Sequence, residues 1–255
     1  MREDLLGNIA RSFVPQIPLD RKRGVSSKKL KVVKSGTTIV ALQYREGVVM
    51  AADRRTSWGR RIISQDTLKI ESVATYTGVG CAGLVSDGQY IKSLLRQLNK
   101  TFYLKSGGIP LTVNGQANYI VDLLHTAYSY GFPFELEMII CGLNFYGEFK
   151  VFEIWEDGCL AEKSYGAVGS GTWDALYVLE RRKKQINEGT LSEEEAISVA
   201  ISAIYNSGEH DSGTSPVTAI VPALAKITST GFEYIDEKTV RKIRHRVLRG
   251  ERRND

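Results

Sequence analysis

The chain has only three cysteines in 255 residues, Cys81, Cys141 and Cys159. They are far apart and sit among apolar or small neighbours, which reads as buried free thiols rather than a disulfide framework or a catalytic thiol. The three histidines, His125, His210 and His245, make no ligand spacing with them, so no metal site is expected. Long apolar runs are missing as well: residues 138–143 and 217–225 fall well short of the roughly 18 to 20 residues that cross a bilayer. The opening Met1-Arg2-Glu3-Asp4 lacks the cationic head and apolar stretch of a secretory signal. These absences predict a soluble, cytoplasmic chain with no membrane attachment.

What is present is a substantial core. Hydrophobic residues make up 42% and charged residues 25% of the chain, which excludes a disordered or fibrous polymer. The net charge of +5 is concentrated at the ends: residues 1–36 carry +6, residues 236–255 carry +4, and the body between them carries −5. An acidic body offers no phosphate groove, so no nucleic-acid partner is expected, and the basic ends suit protein partners or water.

Residues 1–36 hold Pro15, Pro18, the cluster Arg21-Lys22-Arg23 and no sustained apolar period, and read as a detachable arm. From residue 38 onward, β-branched and apolar runs at 38–44 and 47–52 flank Arg45-Glu46 as a hairpin, and 67–73 with 75–80 read as a second strand pair. Helical periodicity follows through Tyr90, Ile91, Leu94, Leu95 and Leu98, then through Tyr119, Ile120, Leu123, Leu124 and Ala127. Strands are expected at 137–142, 150–155 and 159–165, and helices at 173–186, capped by Thr172, and 192–205, capped by Ser192 with Glu195. Strands at 217–227 and 231–235 precede a basic helix from Asp236. Runs of strands followed by runs of helices predict an α+β layered fold.

Gly78-Val79-Gly80-Cys81-Ala82-Gly83 matches G-x-G-x-x-G, yet its strand belongs to a hairpin and no acid ends a following strand about 20 residues on. Dinucleotide binding is therefore not supported, and these glycines mark another backbone coming close. Asn99-Lys100-Thr101 fits a glycosylation acceptor that has no meaning without secretion, and Arg181-Arg182-Lys183-Lys184 reads as a solvated helix end.

Chemistry is suggested where the arm meets the first strand, at Gly36-Thr37-Thr38. A chain cut after Gly36 would present the Thr37 hydroxyl and a free α-amine on one residue. With a pKa near 8, that amine can act as general base for its own hydroxyl. Taken alone, Thr37 is equally a threonine that opens a strand. Asp53 lies 16 residues on, at the end of the partner strand, and Lys69 lies 32 on, inside the strand predicted at 67–73. An ammonium beside the amine disfavours its protonation and favours a developing alkoxide, while a carboxylate keeps the ammonium charged and aimed. Singly, each is also a salt-bridged strand end or a solvent-facing lysine.

Gly36-Thr37-Thr38-Ile39-Val40-Ala41-Leu42 and Gly47-Val48-Val49-Met50-Ala51-Ala52-Asp53-Arg54-Arg55 resemble the opening of a proteasome β-type subunit, an N-terminal-threonine Ntn hydrolase. Lys69, the segment ending in Gly83, Val168-Gly169-Ser170-Gly171 and Asp211-Ser212-Gly213-Thr214 fall where that family keeps its functional groups, and the resemblance spans about residues 36–235. Gly108-Ile109-Pro110-Leu111-Thr112 and Ala167-Val168-Gly169-Ser170-Gly171-Thr172 look closest to the actinobacterial-type bacterial 20S β subunit. The chain departs from the family at Thr214, where serine is frequent, and at Ser215-Pro216, where glycine follows.

The resemblance implies a four-layer αββα sandwich of two antiparallel sheets flanked by helices. It divides the chain into a propeptide at 1–36, a hydrolase domain at 37–235 and a basic tail at 236–255. It implies self-cleavage between Gly36 and Thr37, with Thr37 as nucleophile, Asp53 and Lys69 tuning it and Gly83 donating to the oxyanion. Ser170, Asp211 and Thr214 become the support of the amine, and Arg55 resembles a structural arginine. Substrate would add as a strand along Ser57 and Gly83, its side chain entering a pocket of Thr56, Thr67, Cys81 and Val85 that favours neutral, apolar residues. No cofactor is implied. The implied partners are α and other β subunits in stacked seven-membered rings, an ATP-driven unfoldase and unfolded protein substrates. The competing readings are a non-catalytic structural ring subunit and a small-molecule amidohydrolase of the same superfamily.

Overall fold

The computed structural model describes residues 36–58 and 61–251; the expected propeptide up to residue 35 and tail residues 252–255 lie outside the described residues. Twelve strands and six helices are present among them, ordered β1 (Thr38–Tyr44), β2 (Gly47–Ala52), β3 (Thr56–Trp58), β4 (Arg61–Ser64), β5 (Ile70–Ala74), β6 (Thr77–Gly83), α1 (Val85–Lys105), α2 (Val113–Ser129), β7 (Leu136–Leu143), β8 (Phe149–Ile154), β9 (Leu160–Lys163), β10 (Tyr165–Gly169), α3 (Thr172–Glu180), α4 (Lys183–Asn187), α5 (Glu193–His210), β11 (Ala223–Thr228), β12 (Gly231–Tyr234) and α6 (Glu237–Glu251). One five-stranded sheet has the order β10-β1-β2-β11-β12, the other β5-β6-β7-β8-β9, and β3 and β4 pair apart from both, all neighbours antiparallel.

Three apolar clusters define four layers. On β1, Ile39 and Ala41 join Met50, Ile139 and Cys141 between the sheets, whereas Val40 and Leu42 face Leu179, Ile201, Ile204 and Ile243 of the helices. A third cluster seals the second sheet, through Val79, Met138 and Ile140, against Ile91, Leu95, Ile120 and Leu124 of α1 and α2. Burial on both faces explains why β1 and β2 read as unbroken apolar runs rather than alternating ones. Each such side chain contributes about 1.5–3 kcal/mol of transfer free energy. The α+β sandwich expected from the sequence is thus present, and no described helix is long and apolar enough to cross a membrane.

Several boundaries differ from expectation. Lys69 does not lie inside a strand: pairing of β5 starts at Ile70 opposite Gly80, so Lys69 leaves the ladder at the sheet's end. The G-x-G-x-x-G segment lies within β6, which runs on to Gly83, past the strand end expected at 80. At Gly78 and Gly80 the close neighbours are side chains, those of Met50 and Ile39, whereas at Gly83 the expected backbone approach is present, from Glu135. The run expected as one strand at 159–165 is two strands in different sheets, β9 and β10. The strand expected at 217–227 begins only at Ala223, because Pro216 opens a turn that takes the N–H groups of Ala219 and Ile220, and Pro222 has no N–H for a ladder.

The helix expected at 173–186 breaks at Arg181 and Arg182, and Lys183 and Lys184 open α4. Thr172 is the first residue of α3 and donates to Gly169 O at 2.6 Å instead of capping. At α5 the expected capping box of Ser192 and Glu195 is formed, but the helix runs on to His210. Among the cysteines, Cys141 is buried, Cys81 is intermediate and Cys159 is exposed in the turn before β9. The β3–β4 hairpin was not expected, being too short for a periodic signal.

The gap between the sheets closes only because β6 lacks side-chain bulk. A Cβ on Gly80 would stand 2.7 Å from Ile39 Cγ2. Gly80→Val is therefore expected to lower stability by about 1–3 kcal/mol, the usual cost of overpacking, read as a fall in urea midpoint; an unchanged midpoint would contradict this packing.

Candidate active site

Five chain segments meet at one end of the sandwich. Thr37 immediately precedes β1, whose start pairs with the end of β2 (Ile39 with Ala52) and the end of β10 (Thr38 with Gly169). Asp53 therefore emerges beside Thr38, and Ser170 beside Thr37. Lys69 arrives from the second sheet just before β5, and Asp211 forms the C-terminal cap of α5. Gly36 packs so closely on the loop after α5 that a Cβ on it would lie 2.0 Å from Gly213 Cα, which admits no residue but glycine before Thr37.

Thr37 is 4% exposed, Asp53 1% and Lys69 7%. Lys69 Nζ donates to Asp53 Oδ1 at 2.7 Å and to Thr37 Oγ1 at 2.9 Å, and Thr37 Oγ1 donates to Gly36 O at 2.7 Å. Asp53 also accepts from Thr38 N (3.0 Å), Arg55 N (3.1 Å) and Ser215 N (3.3 Å), so both of its oxygens are satisfied. Thr37 N donates to Ser170 Oγ at 3.2 Å, and Ser170 Oγ donates to Asp211 Oδ2 at 2.6 Å. Thr214 Oγ1 donates to the same oxygen at 2.7 Å and stands 2.5 Å from Thr38 Oγ1. Arg55 holds the loop carrying these groups, donating to Thr214 O at 2.9 Å and to Ser212 O.

Burial lowers the Lys69 pKa below its ordinary 10.5, opposed by the charge and hydrogen bond of Asp53. For Asp211, burial pushes upward but is outweighed by hydrogen bonds from Ser170, Thr214 and Gly213 N–H and by the Arg55 charge, leaving it below its ordinary 3.8. The arrangement presents a hydroxyl between an ammonium and a carbonyl, with an acceptor chain on the Thr37 nitrogen. It can stabilise an alkoxide at Oγ1 and orient the protons of an amine at the nitrogen.

A cleft of about 100 Å³ opens beside Thr37, lined by Thr56, Thr67, Cys81, Gly83 and Val85 together with Glu71 and Lys92. A second, of about 230 Å³, holds Gly36, Gly83, Ser170, Glu135, Glu137 and Glu156. Gly83 borders both and has φ +113°, a conformation that favours glycine. Ser57, on β3, is not in the lining of either. Burial pushes the Cys81 thiol up to about 12, which keeps it a neutral wall rather than a thiolate. Sequence reading missed Glu71 and Lys92: they lie 21 positions apart and meet only when α1 packs on β5. A lysine on the buried stripe of α1 was the available signal.

Asp53→Asn sets an amide N–H₂ against backbone donors and leaves Lys69 buried with a weakened partner. It is expected to cost about 3–5 kcal/mol in denaturant unfolding, and adding Lys69→Met is expected to return part of that loss; a silent single variant would contradict the geometry. Asp211 gives a pH signature. Its folded pKa is depressed, so its stabilisation is complete above about pH 4 and disappears as pH falls through the folded value. In thermal melts the advantage of wild type over Asp211→Asn is expected to be flat from neutrality to about pH 4 and to shrink below it; growth on acidification would contradict the assignment.

The family model described as proteasome subunit matches residues 33–222. The Sulfurisphaera tokodaii proteasome subunit beta 2 is 31% identical over 218 residues, covering 86% of this chain and 99% of the relative. The Methanopyrus kandleri proteasome subunit beta is 31% identical over 216 residues, covering 85% and 99%. The Streptomyces griseus proteasome subunit beta is 29% identical over 227 residues, covering 84% and 76%. With the two-sheet sandwich and the residues gathered around Thr37, these matches identify the chain as a β-type member of the proteasome subunit family.

Proposed function

We propose that this chain is a catalytic proteasome β subunit, a threonine endopeptidase that frees its own nucleophile by cleaving between Gly36 and Thr37. The observation that carries the reading is the placement of Thr37 Oγ1, 2.9 Å from Lys69 Nζ and 2.7 Å from the Gly36 carbonyl oxygen. Attack of Oγ1 on the Gly36 carbonyl carbon forms a C–O bond and breaks the C–N bond to Thr37, and the hydroxyl proton ends on the departing nitrogen. Water then hydrolyses the ester, releasing residues 1–36 as an acid and restoring the hydroxyl beside a free amine.

In the matured chain that amine, with a pKa near 8, takes the Oγ1 proton as a substrate carbonyl is attacked. Asp53 and Lys69 support the alkoxide, Gly83 N–H faces the oxyanion, and Ser170, Asp211 and Thr214 orient the amine. Donors preplaced for that charge are worth about 3 to 4 kcal/mol in acyl transfer. The family names of its relatives, α as well as β, support assembly with α subunits and other β subunits in stacked rings. Within such a chamber the substrates are unfolded proteins supplied by an ATP-driven unfoldase.

The test is the mass of the assembled chain in wild type and in Thr37→Ala. Wild type is expected to lose residues 1–36 and the variant to keep them, with hydrolysis of fluorogenic peptides falling about a thousandfold or more. Selective acetylation of the matured terminus is expected to silence hydrolysis. Wild type that retains its first 36 residues while cleaving peptides would overturn the mechanism, and retention without cleavage would favour a structural ring subunit.

A further inference from the structure

Glu71, on β5, lies between two cations from successive turns of α1. Its Oε1 accepts from Lys92 Nζ, and its Oε2 accepts from Arg96 Nη2 at 2.5 Å. Hydrogen bonds from both cations hold the Glu71 carboxyl below its ordinary 4.5 against the opposing effect of burial. One carboxylate cannot balance two cations, so the cluster keeps a surplus positive charge. Arg96 turns away into a separate groove with Tyr76 and Tyr103, whereas Lys92, only 8% exposed, lines the cleft beside Thr37.

An ammonium carries three N–H donors, and Lys92 Nζ spends one on Glu71. The other charged lysine in the cleft, Lys69, is committed to Asp53 and Thr37. Glu71 also lines the cleft, with its two oxygens engaged by Lys92 and Arg96, and the remaining polar lining includes Gln89, Thr56, which donates to Thr67 at 2.8 Å, and Cys81, a neutral thiol. An apolar side chain placed there would strip water from the ammonium without replacing its hydrogen bonds, and a cationic one would meet a like charge.

We infer that the cleft beside Thr37 selects peptides whose side chain before the cut bond is a carboxylate, with Lys92 as the residue that recognises it. This rests on the reading of Thr37 as nucleophile and replaces the neutral, apolar preference expected from Thr56, Thr67, Cys81 and Val85. The small volume, about 100 Å³, suits aspartate or glutamate better than an aromatic side chain. Glu71 and Arg96 act through Lys92, by fixing the place of its charge.

The test uses the full chain in its assembled, processed form, and three fluorogenic peptides that differ only in glutamate, leucine or arginine before the cut bond. Wild type is expected to show kcat/KM about tenfold or more in favour of glutamate, the scale of one charge-assisted hydrogen bond. Lys92→Met is expected to lower the glutamate-to-leucine ratio about tenfold, and Lys92→Arg to restore much of it. Wild type that prefers leucine or arginine overturns this assignment and leaves the peptidase reading standing, as does a glutamate preference that survives Lys92→Met. Hydrolysis of none of the three peptides overturns the peptidase reading, and this assignment with it.

Discussion

The site depends on one buried ion pair that ties the two sheets together. Asp53 ends a strand of the first sheet and Lys69 precedes a strand of the second, with 2.7 Å between their charged atoms. Neither charge can remain there alone, because an unpaired buried ion costs several kcal/mol. Asp53 meets that demand with three backbone N–H groups besides the ammonium. The same bonds fix Thr38, Arg55 and Ser215, so the carboxylate that anchors Lys69 also sets the threonine hydroxyl and the loop that carries Thr214. Geometry and electrostatics at Thr37 therefore form one constraint.

Much of this was readable from residue order. Apolar runs flanking Arg45-Glu46 imply a hairpin, and a hairpin puts the end of β2 beside the start of β1, which is why Asp53 reaches Thr38. The capping residues of α5 were legible because Ser192 and Glu195 act within one turn. What failed was information that resides in packing. Lys69 looks like a strand residue by its neighbours, and only the register of β5 against β6 shows that it stands outside the ladder. The two strands β9 and β10 read as one run because nothing local marks a change of sheet.

The pocket shows the same limit more sharply. Thr56, Thr67, Cys81 and Val85 suggest a neutral wall, and they do line the cleft. Glu71 and Lys92 line it too, and they belong to a strand and a helix with no shared local pattern. Sequence also cannot show that Gly36 is forced by Gly213: the two are 177 positions apart, yet a Cβ on either would strike the other's Cα. Here the requirement is for space, and it comes from a loop far away in the sequence.

The central place of β1 bears on what happens when a chain is opened at its edge. Polypeptide ends ordinarily fray, and a reactive group on a loose end would spend most of its time misaligned. β1 is bonded on one side to β2 and on the other to β10, and it is covered on both faces. A terminus created at Thr37 would inherit the rigidity of the middle of a sheet. Its alignment would then carry little entropic penalty at each turnover, because folding has already met that cost.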